Sequence, residues 1–258
     1  MSEGVRVDGR VAVVTGGGRG IGRGIADRLR ADGYELVILD RDGELATATA
    51  AALDGRPAVC DITDPDQVRA VFDGLERVDV LVNNAGAWRL QTIRETTPED
   101  FRVVMETNVL GTLLCTQAAA AAMARRGEGA IVNIASTSAV SSSTGIGVYA
   151  SSKAAVISLT RQSAMEYARD GITVNAVAPG VVPTEGTPHY GSADDIVARM
   201  RLYPLPRPGT PADIAGAVSY FASPSARWVT GQTLFVDGGA EAGLGHFMAA
   251  ATAVADQR

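Results

Sequence analysis

Seven short apolar runs alternate with longer segments of helical character: Val11–Thr15, Glu35–Leu39, Pro57–Cys60, Val78–Val82, Ala130–Ala135, Thr173–Ala178 and Thr233–Val236. Runs this uniformly apolar read as strands covered on both faces, not as the alternating strands of a half-solvated sheet. Parallel strands need crossovers, and the gaps between the runs are long enough for helices. The pattern predicts an α/β class chain with a doubly wound parallel sheet, helices on both faces and right-handed connections.

Local start and stop signals agree. Thr97-Pro98-Glu99-Asp100 offers a capping hydroxyl, a proline at the first helical position and an acid three residues on. Asp64-Pro65-Asp66-Gln67 and Thr210-Pro211-Ala212-Asp213 repeat that logic, and Gly33 and Gly171 fit the left-handed position beyond a helix end. No domain boundary is visible, so residues 1–258 are read as a single domain. The least regular stretch is Pro179–Pro208, with a short helix expected at Ala193–Leu202. A connection this long reads as an active-site lid at about 184–208, or else as an ordinary surface excursion. The Ala- and Gly-rich tail from Ala240 is left open between packing on a neighbouring subunit and fraying.

Composition narrows the partners. A formal net charge of -6 argues against nucleic acid or an anionic membrane surface. The N-terminal stretch lacks a signal-peptide core and no apolar run reaches membrane-spanning length, so a cytoplasmic protein is expected. Cys60 and Cys115 sit in apolar surroundings and read as buried thiols.

After the first strand comes Thr15-Gly16-Gly17-Gly18-Arg19-Gly20-Ile21-Gly22, opening a helix. The G-x-G-x-x-G fingerprint fits in no register, and the spacing is G-x-x-x-G-x-G through Gly16, Gly20 and Gly22. The physics is shared: glycines let the backbone approach a pyrophosphate, and the helix N-terminus offers N–H groups and a positive dipole end. Asp40 closes the second strand 18 residues beyond Gly22, where an acid bonds the adenosine ribose and repels a 2′-phosphate. NAD is therefore favoured over NADP, with Arg19 and Arg41 as the opposing signal.

In order along the chain, TGGGRGIG at 15–22, DIT at 61–63, NNAG at 83–86, Asn108, Ser136, YASSK at 149–153 and PGVVPT at 179–184 resemble the short-chain dehydrogenase/reductase family. The resemblance runs from Val11 to about Gly239 and implies a single Rossmann-type domain. It implies that Gly16, Gly18, Arg19, Gly20, Ile21 and Gly22 receive the cofactor phosphates, and that Asp61 and Ile62 flank the adenine. Asn83 to Gly86, among them Ala85, are to line the end of the fourth strand, with Asn83 near the adenosine ribose. NNAG also reads as a plain turn that steadies the sheet. Pro179, Gly180, Val182 and Thr184 are to hold the nicotinamide. The family further implies a homodimer or homotetramer, through the Ala-rich helix Leu113–Ala124 and the helix of Tyr149.

Tyr149 and Lys153 are four apart and share a helix face. A free phenol titrates near ~10, and a neighbouring ammonium favours its phenolate. Tyr149 then acts as general acid in reduction and general base in oxidation, while Lys153 also holds the nicotinamide ribose. Ser136, 13 residues before Tyr149, is expected to fix the substrate oxygen, with Ser138 as its rival. Asn108 is a poor interior helix residue. The family reading is that it kinks its helix and holds a water leading from Lys153 to solvent. His189 and His246 have no partner at metal spacing, so no metal is expected. The expected substrate is a small or medium secondary alcohol or its ketone, with a 3-oxoacyl thioester among the candidates. Trp88, His189 and Tyr190 are candidate pocket residues. A non-catalytic dinucleotide sensor or scaffold on the same fold and a sugar-nucleotide epimerase are the rival readings.

Overall fold

The computed structural model describes residues 9–187, 192–201 and 203–242. Seven strands pair in parallel in the order β3-β2-β1-β4-β5-β6-β7. They are β1 (Val11–Thr15), β2 (Glu35–Asp40), β3 (Arg56–Val59), β4 (Val80–Asn83), β5 (Gly129–Ile134), β6 (Ile172–Pro179) and β7 (Thr233–Val236). The helices are α1 (Gly20–Ala31), α2 (Gly43–Ala52), α3 (Pro65–Asp73), α4 (Pro98–Met105), α5 (Gly111–Ala124), α6 (Tyr149–Tyr167), α7 (Ala193–Met200) and α8 (Pro211–Ala222). Strand order reverses between β1 and β4, and the carboxyl ends of those strands frame the crevice in which such sheets take ligands.

Alternation along each strand divides the core in two. Ala12, Val14 and Ile38 join Ile25 and Leu29 of α1 with Ile214, Val218 and Phe221 of α8. Val13, Val37 and Leu39 face the other way, onto Val68 and Phe72 of α3 and Cys115 and Met123 of α5. Each fully buried side chain of this size contributes about 1.5–3 kcal/mol.

The helix starts read from the sequence are present. Asp64 accepts from the Asp66 and Gln67 amides and Thr97 from the Asp100 amide. Thr210 and Asp213 form a reciprocal capping box, and so do Ser192 and Asp195 at α7, a start the sequence reading did not single out. Gly33 and Gly171 take positive φ values of 97° and 71°.

Three expectations need correction. The third run is buried only at Cys60: β3 is an edge strand with Val59 62% exposed, because no strand among the described residues continues the sheet beyond it. β4 begins at Val80, not Val78, and just before it the Asp79 carboxylate receives the Val11 amide at 2.7 Å. The helix expected to run on from Thr97 is interrupted by a π-helical turn at Glu106–Leu110, with Asn108 inside it. In the long connection, α7 ends at Met200. Leu202, His189, Tyr190 and His246 lie outside the described residues.

Candidate active site

The glycine-rich turn is shaped by what it excludes. A Cβ on Gly22 would collide with the Gly16 carbonyl and the Asn84 amide, and one on Gly18 would lie 2.7 Å from the Cβ of Leu45. Gly16 and Gly20 have positive φ values of 61° and 57°. The turn is held from behind by NNAG: Asn84 Nδ2 donates to the carbonyls of Thr15 and Gly16, and Thr15 Oγ1 accepts from the amides of Asn84 and Ala85. Asn84 lies within the stretch expected at the end of the fourth strand, and its bonds run to the glycine-rich turn.

The start of α1 differs from those of α2, α3, α4, α7 and α8. Arg19 sits at its N-cap without a side-chain cap, and its first turn holds no acid. Its leading N–H groups therefore face outward beside a backbone stripped of side chains, which fits a pyrophosphate. Asp40 stands at the rim, accepting from the Gly18 amide at 3.2 Å and the Asp42 amide at 3.1 Å. Arg19 and Arg41 are exposed there. Thr184 reaches over the turn, with its Oγ1 only 3.2 Å from where a Gly20 Cβ would stand.

Asp61 is half-buried, its carboxylate taken by the amide and hydroxyl of Thr63. Gly180 backs onto Asp237 so closely that a Cβ would lie 2.8 Å from its Cα. Some expected contacts are spent inside the fold. Asn83 Nδ2 donates to Asn133 Oδ1 and Thr116 Oγ1 at 2.8 and 3.0 Å, leaving its backbone, not its side chain, for an adenosine ribose. Ile62 packs on Gly111 and Val182 is 2% exposed in the core, so their side chains serve packing.

At the ends of β4, β5 and β6 a second group converges. Lys153 is buried, and its Nζ donates to the Ile134 carbonyl at 2.7 Å and stands 5.8 Å from the centroid of the Tyr149 ring. Burial lowers its pKa from 10.5 to about 8. Ser136, directly after β5, is 8% exposed and accepts the Ser138 amide at 3.1 Å. Ser138 thereby helps to hold Ser136. Asn108 is fully buried, and a Cβ on Gly86 would come within 3.2 Å of its Oδ1 and 3.6 Å of Lys153 Nζ. Both its amide protons are used, to the Ala87 carbonyl and to Ser152 Oγ, so a water relay must begin from one of its oxygens. Trp88 meets the Tyr149 ring edge-on at 6.4 Å. Cys60 and Cys115 are buried free thiols, raised to about 11 and about 12 chiefly by desolvation, and take no part.

The chain is similar to known proteins over most of its length. A family described as enoyl-(acyl carrier protein) reductase matches residues 16–241. A sorbitol dehydrogenase of Cereibacter sphaeroides is 38% identical, over 91% of this chain and 98% of that one. A 3-oxoacyl-(acyl-carrier-protein) reductase of Vibrio cholerae is 34% identical, again over 91% and 98%. Among solved structures, a gluconate 5-dehydrogenase from Burkholderia cenocepacia, in complex with NADP and tartrate, superposes with a TM-score of 0.89 at 36% identity, covering 93% of this chain and 98% of its own.

Two outcomes follow from the geometry. Gly22→Ala should weaken binding of the reduced dinucleotide by about tenfold, ~1.4 kcal/mol, in a fluorescence titration. Unchanged affinity would show that the turn does not carry the phosphates. The second concerns the buried ammonium. Its folded pKa lies below its unfolded one, so protonated Lys153 costs stability at pH values under about 8, and the cost fades between 8 and 10.5. That cost is about 3 kcal/mol at neutral pH, less the hydrogen bond to Ile134. In the cofactor-free protein, Lys153→Met should resist urea better at pH 7, with the advantage shrinking as pH rises to 10. A variant weaker than the parent at pH 7 would contradict this.

Proposed function

The chain belongs to the short-chain dehydrogenase/reductase family as an NAD(P)-dependent oxidoreductase, and we propose that it interconverts a secondary alcohol and its ketone with Tyr149 as general acid and base. One observation carries this reading: the ammonium of Lys153 is buried beside the Tyr149 ring, with no carboxylate among the described residues paired to it. An unpaired buried ammonium is costly, and favouring a phenolate is a function that accounts for it.

The backbone of Gly16–Gly22 and the open end of α1 would hold the pyrophosphate, Asp40 the adenosine ribose, and Lys153 the nicotinamide ribose. Gly180 and Thr184 would sit against the nicotinamide. When bound, NAD(P) supplies or accepts the hydride. Ser136 holds the substrate oxygen beside the phenol. Tyr149 gives that oxygen a proton in reduction and removes it in oxidation. Lys153 keeps the phenolate within reach, and Asn108 fixes the loop beneath it.

NAD is the cofactor we favour, supported by the carboxylate of Asp40 at the rim, although the compared gluconate 5-dehydrogenase was solved with NADP. We place the substrate among small polyhydroxylated alcohols. That rests on the relatives named for sorbitol and gluconate, and on the hydroxyls of Ser138 and Ser141–Thr144 before Tyr149. A 3-oxoacyl thioester is the alternative, favoured by the relative named for it. We further propose a homotetramer. Phe101, Leu110 and Met165 are exposed on the α4–α5 and α6 side, and Tyr220, Trp228 and Leu234 near α8 and β7. No described helix is long and apolar enough to cross a membrane. A cytoplasmic setting is supported by the two free thiols.

Tyr149→Phe should reduce kcat by about 10²–10⁴-fold while leaving cofactor affinity near the parental value. Parental turnover in that variant would refute the assignment. Asp40→Ser should raise the NADP-to-NAD ratio of kcat/KM by ~10-fold, measured at the nicotinamide absorbance. An unmoved ratio would mean that Asp40 does not select the cofactor.

A further inference from the structure

Ser152 lies in the first turn of α6 and is fully buried. Serine is a poorer helix former than alanine, and its hydroxyl must find partners when buried. It finds two. Its Oγ accepts from Asn108 Nδ2 at 2.9 Å and donates to the Tyr149 carbonyl at 2.7 Å. Asn108 is itself locked, since its Oδ1 accepts from the Ala87 amide at 2.7 Å and its Nδ2 donates to the Ala87 carbonyl at 2.8 Å. A continuous chain of hydrogen bonds thus runs from Ala87 through Asn108 and Ser152 to the backbone of Tyr149.

The next residue along that loop closes the circuit. Trp88 meets the Tyr149 ring edge-on, with centroids 6.4 Å apart and planes at 89°. The backbone and the ring of Tyr149 are therefore both referenced to the same dipeptide, one through Ser152 and the other directly. Without the Ser152 hydroxyl, the Ala87 loop and the π-turn keep their own bonds, but the first turn of α6 loses this hydrogen-bonded link to them. The Tyr149 ring can then drift from Lys153 and Ser136 while the glycine-rich turn, on the far side of β4, is untouched.

We propose that Ser152 is a positioning residue for proton transfer, coupling the Asn108 amide to the helix turn that carries Tyr149. This rests on the reading of Tyr149 as general acid and base. The test compares the parent, Ser152→Ala, Asn108→Ala, the double variant and Tyr149→Phe, each with bound NAD(H). Ser152→Ala is expected to lower kcat by about tenfold with cofactor affinity within about twofold, because misplacement costs rate and not binding. In the oxidation direction, its rising pH limb is expected to move about half a pH unit higher, as the phenolate loses part of the ammonium's support. The double variant should be no slower than Asn108→Ala alone, since both changes cut one path. An unchanged kcat and pH limb, fully multiplicative losses, or cofactor affinity or folding lost in step with kcat would each overturn the role of Ser152. Parental turnover in Tyr149→Phe would instead remove the general acid itself, and so separates that failure from this one.

Discussion

Lys153 carries a charge into a buried place where no carboxylate among the described residues is paired to it. Its ammonium is received by one carbonyl, Ile134, at the end of β5, which ties the start of α6 to that strand. Desolvation pulls its pKa down to about 8. A globular protein of ordinary stability has about 5–15 kcal/mol in hand, so a cost of this kind is a sizeable fraction of it. The stabilisation it can offer to a neighbouring phenolate is the counterpart of that cost.

Buried asparagines elsewhere are treated differently, because their N–H groups are paired. Asn83 donates to Asn133, Asn133 to Thr160, and Asn175 to the Val229 carbonyl, so amides tie β4, β5 and β6 to α5, α6 and the approach to β7. Such a network is directional in a way that apolar packing is not. It sets the register at which α5 and α6 cross the sheet. The π-turn at Glu106–Leu110 belongs to the same logic: it releases Asn108 from the regular helix and turns its amide onto Ala87. The two halves of the site then differ in kind. The glycine-rich half consists of absences, namely missing side chains and an uncapped helix end. The half around Lys153 consists of polar side chains held by protein partners, Asn108 on Ala87 and Ser152 and Lys153 on Ile134.

The fold was largely legible in the sequence. Strand runs, capping signals and left-handed glycines are local properties, and each acts within a few residues through backbone sterics or a single hydrogen bond. The edge position of β3 was not legible, because an apolar four-residue strand reads the same whether or not another strand lies beyond it. For the site, the motifs named Ser136, Tyr149, Lys153 and the glycine-rich turn. They did not reveal that the Asn83 side chain faces inward, that Asn84 bonds the carbonyls of the glycine-rich turn, or that Ser152 bonds Asn108. Neighbours within a motif are equivalent on paper, and only the direction of each side chain separates them.

The chain by itself therefore determined the α/β alternation, the order of the motifs and the chemical types available for hydride and proton transfer. Tertiary structure decided which amide meets which carbonyl, which glycine lies against a neighbour's backbone, and how far the Lys153 ammonium stands from the Tyr149 ring. The physical reason is sequence separation. Ala87, Asn108, Ile134 and Ser152 touch only after β4, β5, the π-turn and α6 have docked, and no local preference of any one segment encodes that contact.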